Sequence, residues 1–293
     1  MLEGSRMTAW AVVDLPPGAV QGGLVRDVQG VAEIVRQAAR ITGIAGRAVY
    51  SALSGAVCVV RRLSLPNLSG RVLRAAIRWE AERLLPYPFD QSVVDYRVLG
   101  TSLNGAGQEL DILMVGARAE AVQSHVATLQ GAGVRMGGLD VKPLARARAL
   151  DQDLDSSAAV ILHVGSESLE FTAVDQHGVR FTRTVPIATP AAHHTAVPLE
   201  FLIEETVRSM RFIEGQMPAP VDRLLLTGGG ATDPSILSAL EHRINVKVVL
   251  ADPLSGLQHD AAPPQRLRLA VAIGLARQGT QDRSARNRKA IWQ

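Results

Sequence analysis

The sequence predicts a two-lobed α/β protein, and three observations carry that expectation. Strand and helix patterns alternate through both halves of the chain. Its 293 residues suffice for two domains or one two-lobed domain. A polar stretch over 151–157 separates the halves and reads as a lobe boundary.

In order, residues 10–13 read as a short strand and Pro16-Pro17-Gly18 as a turn. A helix follows over 28–41, with Val31, Ile34, Val35, Ala38 and Ile41 on one side and Arg36, Gln37 and Arg40 on the other. Strands are expected at 48–53 and 57–63, joined by Ser54-Gly55. The next helix has Ser69 as its expected cap. Val72, Leu73, Ala76, Ile77, Ala81 and Leu84 form its apolar stripe, and Pro86 stops it. A strand over 93–99, a loop over 101–107, a strand over 112–117, a helix over 119–130 and a strand over 134–141 complete a β-α-β-β-α-β unit. After a short Ala/Arg helix over 144–150 and the linker, strands at 160–164, 169–174 and 179–185 form tight antiparallel turns. An irregular connection over 186–198 leads to a helix over 199–214. A strand over 223–227 then runs into Gly228-Gly229-Gly230, and Asp233 caps a helix that has Pro234 at its first position. A strand over 246–250 and a helix over 267–277 follow. The last residues, with Arg283, Arg286, Arg288 and Lys289, read as a frayed basic tail.

Composition narrows the function classes. With 47% hydrophobic and 20% charged residues the chain has the makings of a globular core. A net charge of +3 without a basic stripe, and only 4% aromatics, argue against nucleic-acid binding. The single Cys58 sits in an apolar run, so it reads as a small core residue in a reducing compartment. No run reaches the roughly 18 apolar residues of a membrane span, and the start lacks a signal-peptide pattern. The expectation is a cytoplasmic protein that partners bring to a membrane.

The chemistry-bearing candidates are few. Gly228, Gly229 and Gly230 end a strand before a helix, where backbone N–H groups can meet a nucleotide. A tight crossover explains three glycines equally well, because neither Walker nor dinucleotide spacing is present. Glu205 and Arg208 on the preceding helix face the same cleft or a solvated helix side. His193-His194 lies in a loop with no ligand at metal spacing, so no metal site is expected. His163 reads as a hydrogen-bonded core histidine. Glu167 and Glu170 fall on opposite strand faces, which excludes them as a paired acid and base. No Ser-His-Asp arrangement emerges, so no catalytic residue is assigned.

The order Leu65-Pro66, Trp79-Glu80-Ala81-Glu82, Pro86-Tyr87-Pro88-Phe89, Val94-Asp95-Tyr96 resembles the PilM family, actin-like proteins of type IV pilus assembly. So do Leu15-Pro16-Pro17-Gly18, Leu139-Asp140-Val141, Leu226-Thr227-Gly228-Gly229-Gly230-Ala231 and Ala272-Ile273-Gly274-Leu275-Ala276. The resemblance implies an α/β, actin-like (ribonuclease H-like) two-lobed fold with an inserted mixed α/β subdomain like that of the division protein FtsA. Residues 1–64 would be a partial first lobe without its opening strand hairpin, and 65–141 the insertion. Residues 142–157 would return to the first lobe, 158–279 form the second lobe, and 280–293 a flexible basic tail. The resemblance further implies an ATP and Mg²⁺ cleft, with the glycine turn, Glu205 and Arg208 on its adenosine side. It implies a scaffold that holds the N-terminal cytoplasmic tail of PilN in a groove beside the insertion and meets pilus platform and motor proteins. Trp79, Glu80 and Tyr96 are the expected partner contacts, and an exposed sheet edge would favour self-association.

Two departures bear on the cleft. The family's phosphate loops carry Asp-x-Gly, whereas here Gly4-Ser5 has no such acid and His163-Val164-Gly165 stands in the second loop. The Gly-Gly after the hairpin is replaced near Ala188-Thr189. Without those carboxylates, ATP and Mg²⁺ binding is expected to be weak or absent. The alternatives are an actin-fold ATPase or sugar kinase, an FtsA-like division protein, or a type II secretion platform component.

Overall fold

The computed structural model describes residues 1–44, 46–104, 107–151, 158–187 and 197–291. His193-His194, Ala188-Thr189 and most of the 151–157 linker lie outside them. The chain opens with a hairpin of two short strands, β1 (Leu2–Glu3) and β2 (Arg6–Met7). A minimal hairpin therefore stands where none was expected, while residues 10–13 form no strand. A second small hairpin, β3 (Val20–Gln21) with β4 (Leu24–Val25), leads to Asp27. The Asp27 carboxylate accepts the Gly30 N–H at 2.8 Å and starts α1 (Val28–Ile41). Of the predicted stripe, Val31 is buried but Ile41 is 60% exposed at the frayed end.

There follow β5 (Ala48–Leu53), a 3₁₀ turn over Gly55–Val57, β6 (Cys58–Pro66) and α2 (Gly70–Leu84). Ser69 precedes α2 but makes no side-chain cap bond. Leu73, Ile77 and Ala81 pack against Leu110, Ile112 and Met114, whereas Val72 points outward. The glycine-rich stretch read as a loop is instead part of a long hairpin, β7 (Ser92–Asn104) and β8 (Gly107–Arg118). Then come α3 (Ala119–Gly131), β9 (Arg135–Val141) and α4 (Lys142–Ala149). The second half contains β10 (Ala158–Val164), β11 (Ser168–Asp175), β12 (Gly178–Pro186), α5 (Leu199–Glu214), β13 (Val221–Thr227), α6 (Pro234–Arg243) and β14 (Lys247–Leu250). It closes with α7 (Pro263–Arg266) and α8 (Ala270–Ile291). The residues read as a frayed tail are thus helical to Ile291.

Eight strands form one sheet in the order β14-β13-β10-β11-β12-β6-β8-β7. β5 and β6, adjacent in sequence, do not pair: β5 runs parallel to β9 and β6 antiparallel to β8. The bridge from the second-half strands to β6, and through it to β8 and β7, is Phe181 opposite Arg61. One face of the second-half sheet, with Val160, Leu162, Phe171 and Leu224, packs on Leu202, Met210 and Ile213 of α5. The other face carries Ala159, Ile161, Val174 and Leu225 against Leu53, Val57, Val60 and Val141 from the first half. Residues along a strand alternate between these faces, so every second position points at the seam between halves.

The seam is spanned by α4 crossing α8. At Gly274 a Cβ would lie 1.8 Å from the Ala145 carbonyl oxygen, so only glycine lets the helices meet. Arg148 Nη1 donates to the Gly274 carbonyl at 3.1 Å, and Arg277 Nη1 to the carbonyls of Arg148 and Ala149 at 3.0 and 2.9 Å. These bonds tie the crossing together and fix where α4 aims its other side chains.

Candidate functional site

Two places on this frame are candidates, and the first is the cleft behind the glycine turn. Strand register lines up Thr227 of β13, His163 of β10, Glu170 of β11 and Thr184 of β12 in one row on the seam face. From the opposite side α4 delivers Arg146, whose side chain is wholly buried and forms an ion pair with Glu170. Burial raises the Glu170 carboxyl, but Arg146, then His163 and Lys142, outweigh it and hold the group at about 2. His163 is pushed down to about 3 by burial of its ring and by Arg146, so it is neutral at physiological pH. Its Nδ1 has no hydrogen-bond partner, which corrects the expectation of a hydrogen-bonded core histidine. Arg146 Nε and Nη1 and Thr172 Oγ1 are likewise buried without partners. Cys58 beside this cluster donates its thiol to the Ser54 carbonyl at 3.1 Å, and burial followed by the Glu170 charge pushes it up to about 12. It is an inert core thiol.

A metal-bound triphosphate does not fit these residues. Gly228 has a φ of +101°, and a Cβ there would lie 2.5 Å from the Val164 carbonyl oxygen and 2.8 Å from His163 Nδ1. A Cβ on Gly230 would meet Val164 Cγ1 at 2.3 Å. The glycines are required by the close passage of β10, as in the crossover reading, and Val164 fills the space they leave. Magnesium needs free carboxylate oxygens, yet Glu170 is paired with Arg146. Among the described residues no group of three His, Cys, Asp or Glu side chains could hold a metal. Glu205 pairs with Arg208 one turn on, at 2.6 Å, the Arg208 side chain being largely exposed. Glu205 itself is buried, so the pair joins a covered carboxylate to an exposed guanidinium.

The second place is an apolar groove of about 180 Å³. Leu15, Val20 and Val25 come from the β3–β4 segment, Val31 and Val35 from α1, and Leu129 from α3. α1 and α3 pack side by side, so the groove runs between these two helices and the β3–β4 segment. Its polar end carries Ser51, whose Oγ lies 2.8 Å from His125 Nε2, and Lys142 at the start of α4. Burial and then Lys142 lower the His125 pKa, which favours the neutral ring. Sequence reasoning treated Val31 and Val35 as ordinary core and passed over Lys142. The signal was an α1 stripe wider than its neighbours cover, since Ile34, Val35 and Ala38 remain half-buried.

Trp79, Glu80 and Tyr96 are not brought together. Trp79 is 62% exposed on the outer side of α2, Glu80 is buried and paired with Arg83 at 2.6 Å, and Tyr96 packs beneath the helix. None of them lines the groove.

A family model for type IV pilus assembly protein PilM matches residues 3–187. The chain belongs to the PilM family. A solved PilM-PilN type IV pilus biogenesis complex superposes with a TM-score of 0.80 at 24% identity, over 94% of this chain and 92% of that one. That likeness shows that this chain has the α/β fold of that PilM chain, as the resemblance implied. The ethanolamine utilization protein EutJ from Carboxydothermus hydrogenoformans is more distant, with a TM-score of 0.47 at 15% identity over 88% and 77% of the two chains. The cytoplasmic domain of EpsL, an inner-membrane component of the Vibrio cholerae type II secretion system, gives 0.46 at 11% identity over 85% and 80%. Among the described residues no helix is long and apolar enough to cross a membrane.

Proposed function

We propose that this chain is a nucleotide-independent scaffold of type IV pilus assembly that holds the N-terminal tail of a PilN-like membrane protein in the α1–α3 groove. The groove itself carries the reading: six leucine and valine side chains line a cavity between α1 and α3, and the family resemblance implies a groove for such a tail beside the insertion. Each leucine- or valine-sized side chain buried there would contribute about 1.5–3 kcal/mol, so two or three suffice for a stable docking. The captured tail would bring the chain to the inner membrane, where platform and motor proteins could dock on its remaining surface. Trp79 stays available for such a contact.

The ATP and Mg²⁺ of the wider fold are not required in this reading. Arg146 and Glu170 join the halves with a buried charge pair where those groups would otherwise do so. The groove is tested by co-purification with the synthetic N-terminal tail of the PilN-like protein. Val25→Glu or Val35→Glu, both at half-buried positions lining the groove, should abolish retention while leaving the fold intact. Full retention by both variants would refute the groove, and no retention by the wild-type chain would refute the scaffold reading. The nucleotide claim has its own test, titration with Mg·ATP, where micromolar binding would overturn it.

A further inference from the structure

β7 is the last strand of the eight-stranded sheet and pairs with β8 on one side alone among the described residues. Unpaired edges of this length invite another strand, and proteins usually guard them with charges or bulges. The sequence of this edge is Val93-Val94-Asp95-Tyr96-Arg97-Val98-Leu99. It is a palindrome in chemical character about Tyr96: apolar, apolar, acid, tyrosine, base, apolar, apolar. We propose that β7 pairs antiparallel with β7 of a second copy about a two-fold axis at Tyr96, joining two sheets into one.

The register follows from symmetry, since a two-fold interface presents the same patch from both sides. Centring it on Tyr96 places Val94 opposite Val98, Val93 opposite Leu99, and Asp95 opposite Arg97 of the second copy, each pair occurring twice. Val93, Val98 and Leu99 are 47%, 42% and 41% exposed in the single chain, and Asp95 and Arg97 are exposed as well. Tyr96 and Val94 pack toward α2, so strand alternation sends Val93, Asp95 and Arg97 to the other face. There each Asp95 would meet an Arg97 rather than a like charge. Charges that guard an edge against its own copies must repel; these attract.

The backbone points the same way. The Tyr96 N–H donates at 2.8 Å to the carboxylate of Asp95, the residue before it. This is how an edge amide is satisfied when no strand lies beside it. In antiparallel sheets a residue whose N–H faces outward also turns its carbonyl outward. Tyr96, Val94 and Val98 would therefore form hydrogen-bonded pairs across the axis. Asp95 and Arg97 would then fall at the closely spaced, non-hydrogen-bonded positions where side chains approach most. Pairing frees the Asp95 carboxylate from the Tyr96 amide just as Arg97 of the second copy arrives. The register shift between Val98 and Gly100 ends the regular edge, which confines the pairing to this palindrome.

Sedimentation velocity on the full chain from about 1 to about 100 μM should show a concentration-dependent dimer. D95R alone and R97D alone each set like charges face to face twice and should weaken the dimer at least about tenfold. An equimolar mixture of the two single variants restores attraction at both contacts and should recover the dimer, as should the D95R/R97D double variant. Circular dichroism and an unchanged Tm confirm that these exposed positions leave the fold intact. A chain that stays monomeric across the range, a dimer indifferent to D95R, or a mixture that fails to recover would each overturn the proposal.

Discussion

Arg146→Met probes the seam between the two halves. In the native protein the Arg146 guanidinium is wholly buried against Glu170, and α4 and α8 hold it there through the Gly274 crossing. Methionine keeps most of the volume but leaves Glu170 buried without a counter-charge. Glu170 has been lowered from 4.5 to about 2; at roughly 1.4 kcal/mol per pKa unit this corresponds to about 3 kcal/mol. That agrees with the roughly 3–5 kcal/mol cost of breaking a buried pair from one side. At about 2–4 °C per kcal/mol for a chain of this size, Tm at pH 7 should fall by roughly 6–12 °C. Because the folded carboxyl lies below its unfolded value, this stabilisation is complete above about pH 4.5 and is lost as pH falls through about 2. Adding Glu170→Leu removes the stranded charge, so the double variant should recover most of the loss. Calorimetry on the three proteins decides it. A single variant within about 2 °C of wild type, or a double variant worse than the single, would refute the reasoning.

Two further outcomes follow from the same region. His163 has a folded pKa below its unfolded value, so the unfolded chain gains a proton that the folded one refuses between about pH 6.5 and 3. Stability should therefore fall with acidification at up to about 1.4 kcal/mol per pH unit. Urea unfolding of wild type and His163→Gln at pH 7.5, 6 and 5 should show the slope flattened in the variant, and equal slopes would contradict the assignment. Gly274→Ala adds a methyl 1.8 Å from the Ala145 carbonyl oxygen. The clash should outweigh the helix-propensity gain of about 1 kcal/mol and cost about 3 kcal/mol net. A thermal midpoint equal to wild type would show that α8 can move aside.

Much of the fold was legible because its elements are locally determined. α1 and α5 have the predicted limits, and β10, β11 and β12 match their predicted strands to within two residues at each end. Pro86 and the Asp233–Pro234 cap act where their chemistry says they should. Pairing was less legible, since β5 joins β9 across the 81 residues between Leu53 and Arg135 and no local pattern encodes that choice. Val72 and Ile41 were misread because helical periodicity marks a stripe without saying how wide its neighbour is.

The sites divide along the same line. The glycine turn could be located from sequence, but whether it held a ligand or a passing strand depended on Val164, three strands and a helix earlier in the chain. Glu170 was set aside for lacking a partner on its own strand, and its partner arrived from α4 instead. Trp79, Glu80 and Tyr96 lie close together along the chain, yet α2 sends one outward, buries the second and covers the third.

The most direct measurement is isothermal titration of the chain with the synthetic N-terminal tail of the PilN-like protein, run with and without Mg·ATP. The account predicts saturable binding of the same affinity in both conditions, abolished by Val35→Glu. Binding that appears only with Mg·ATP, or no binding by a folded wild-type chain, would contradict it.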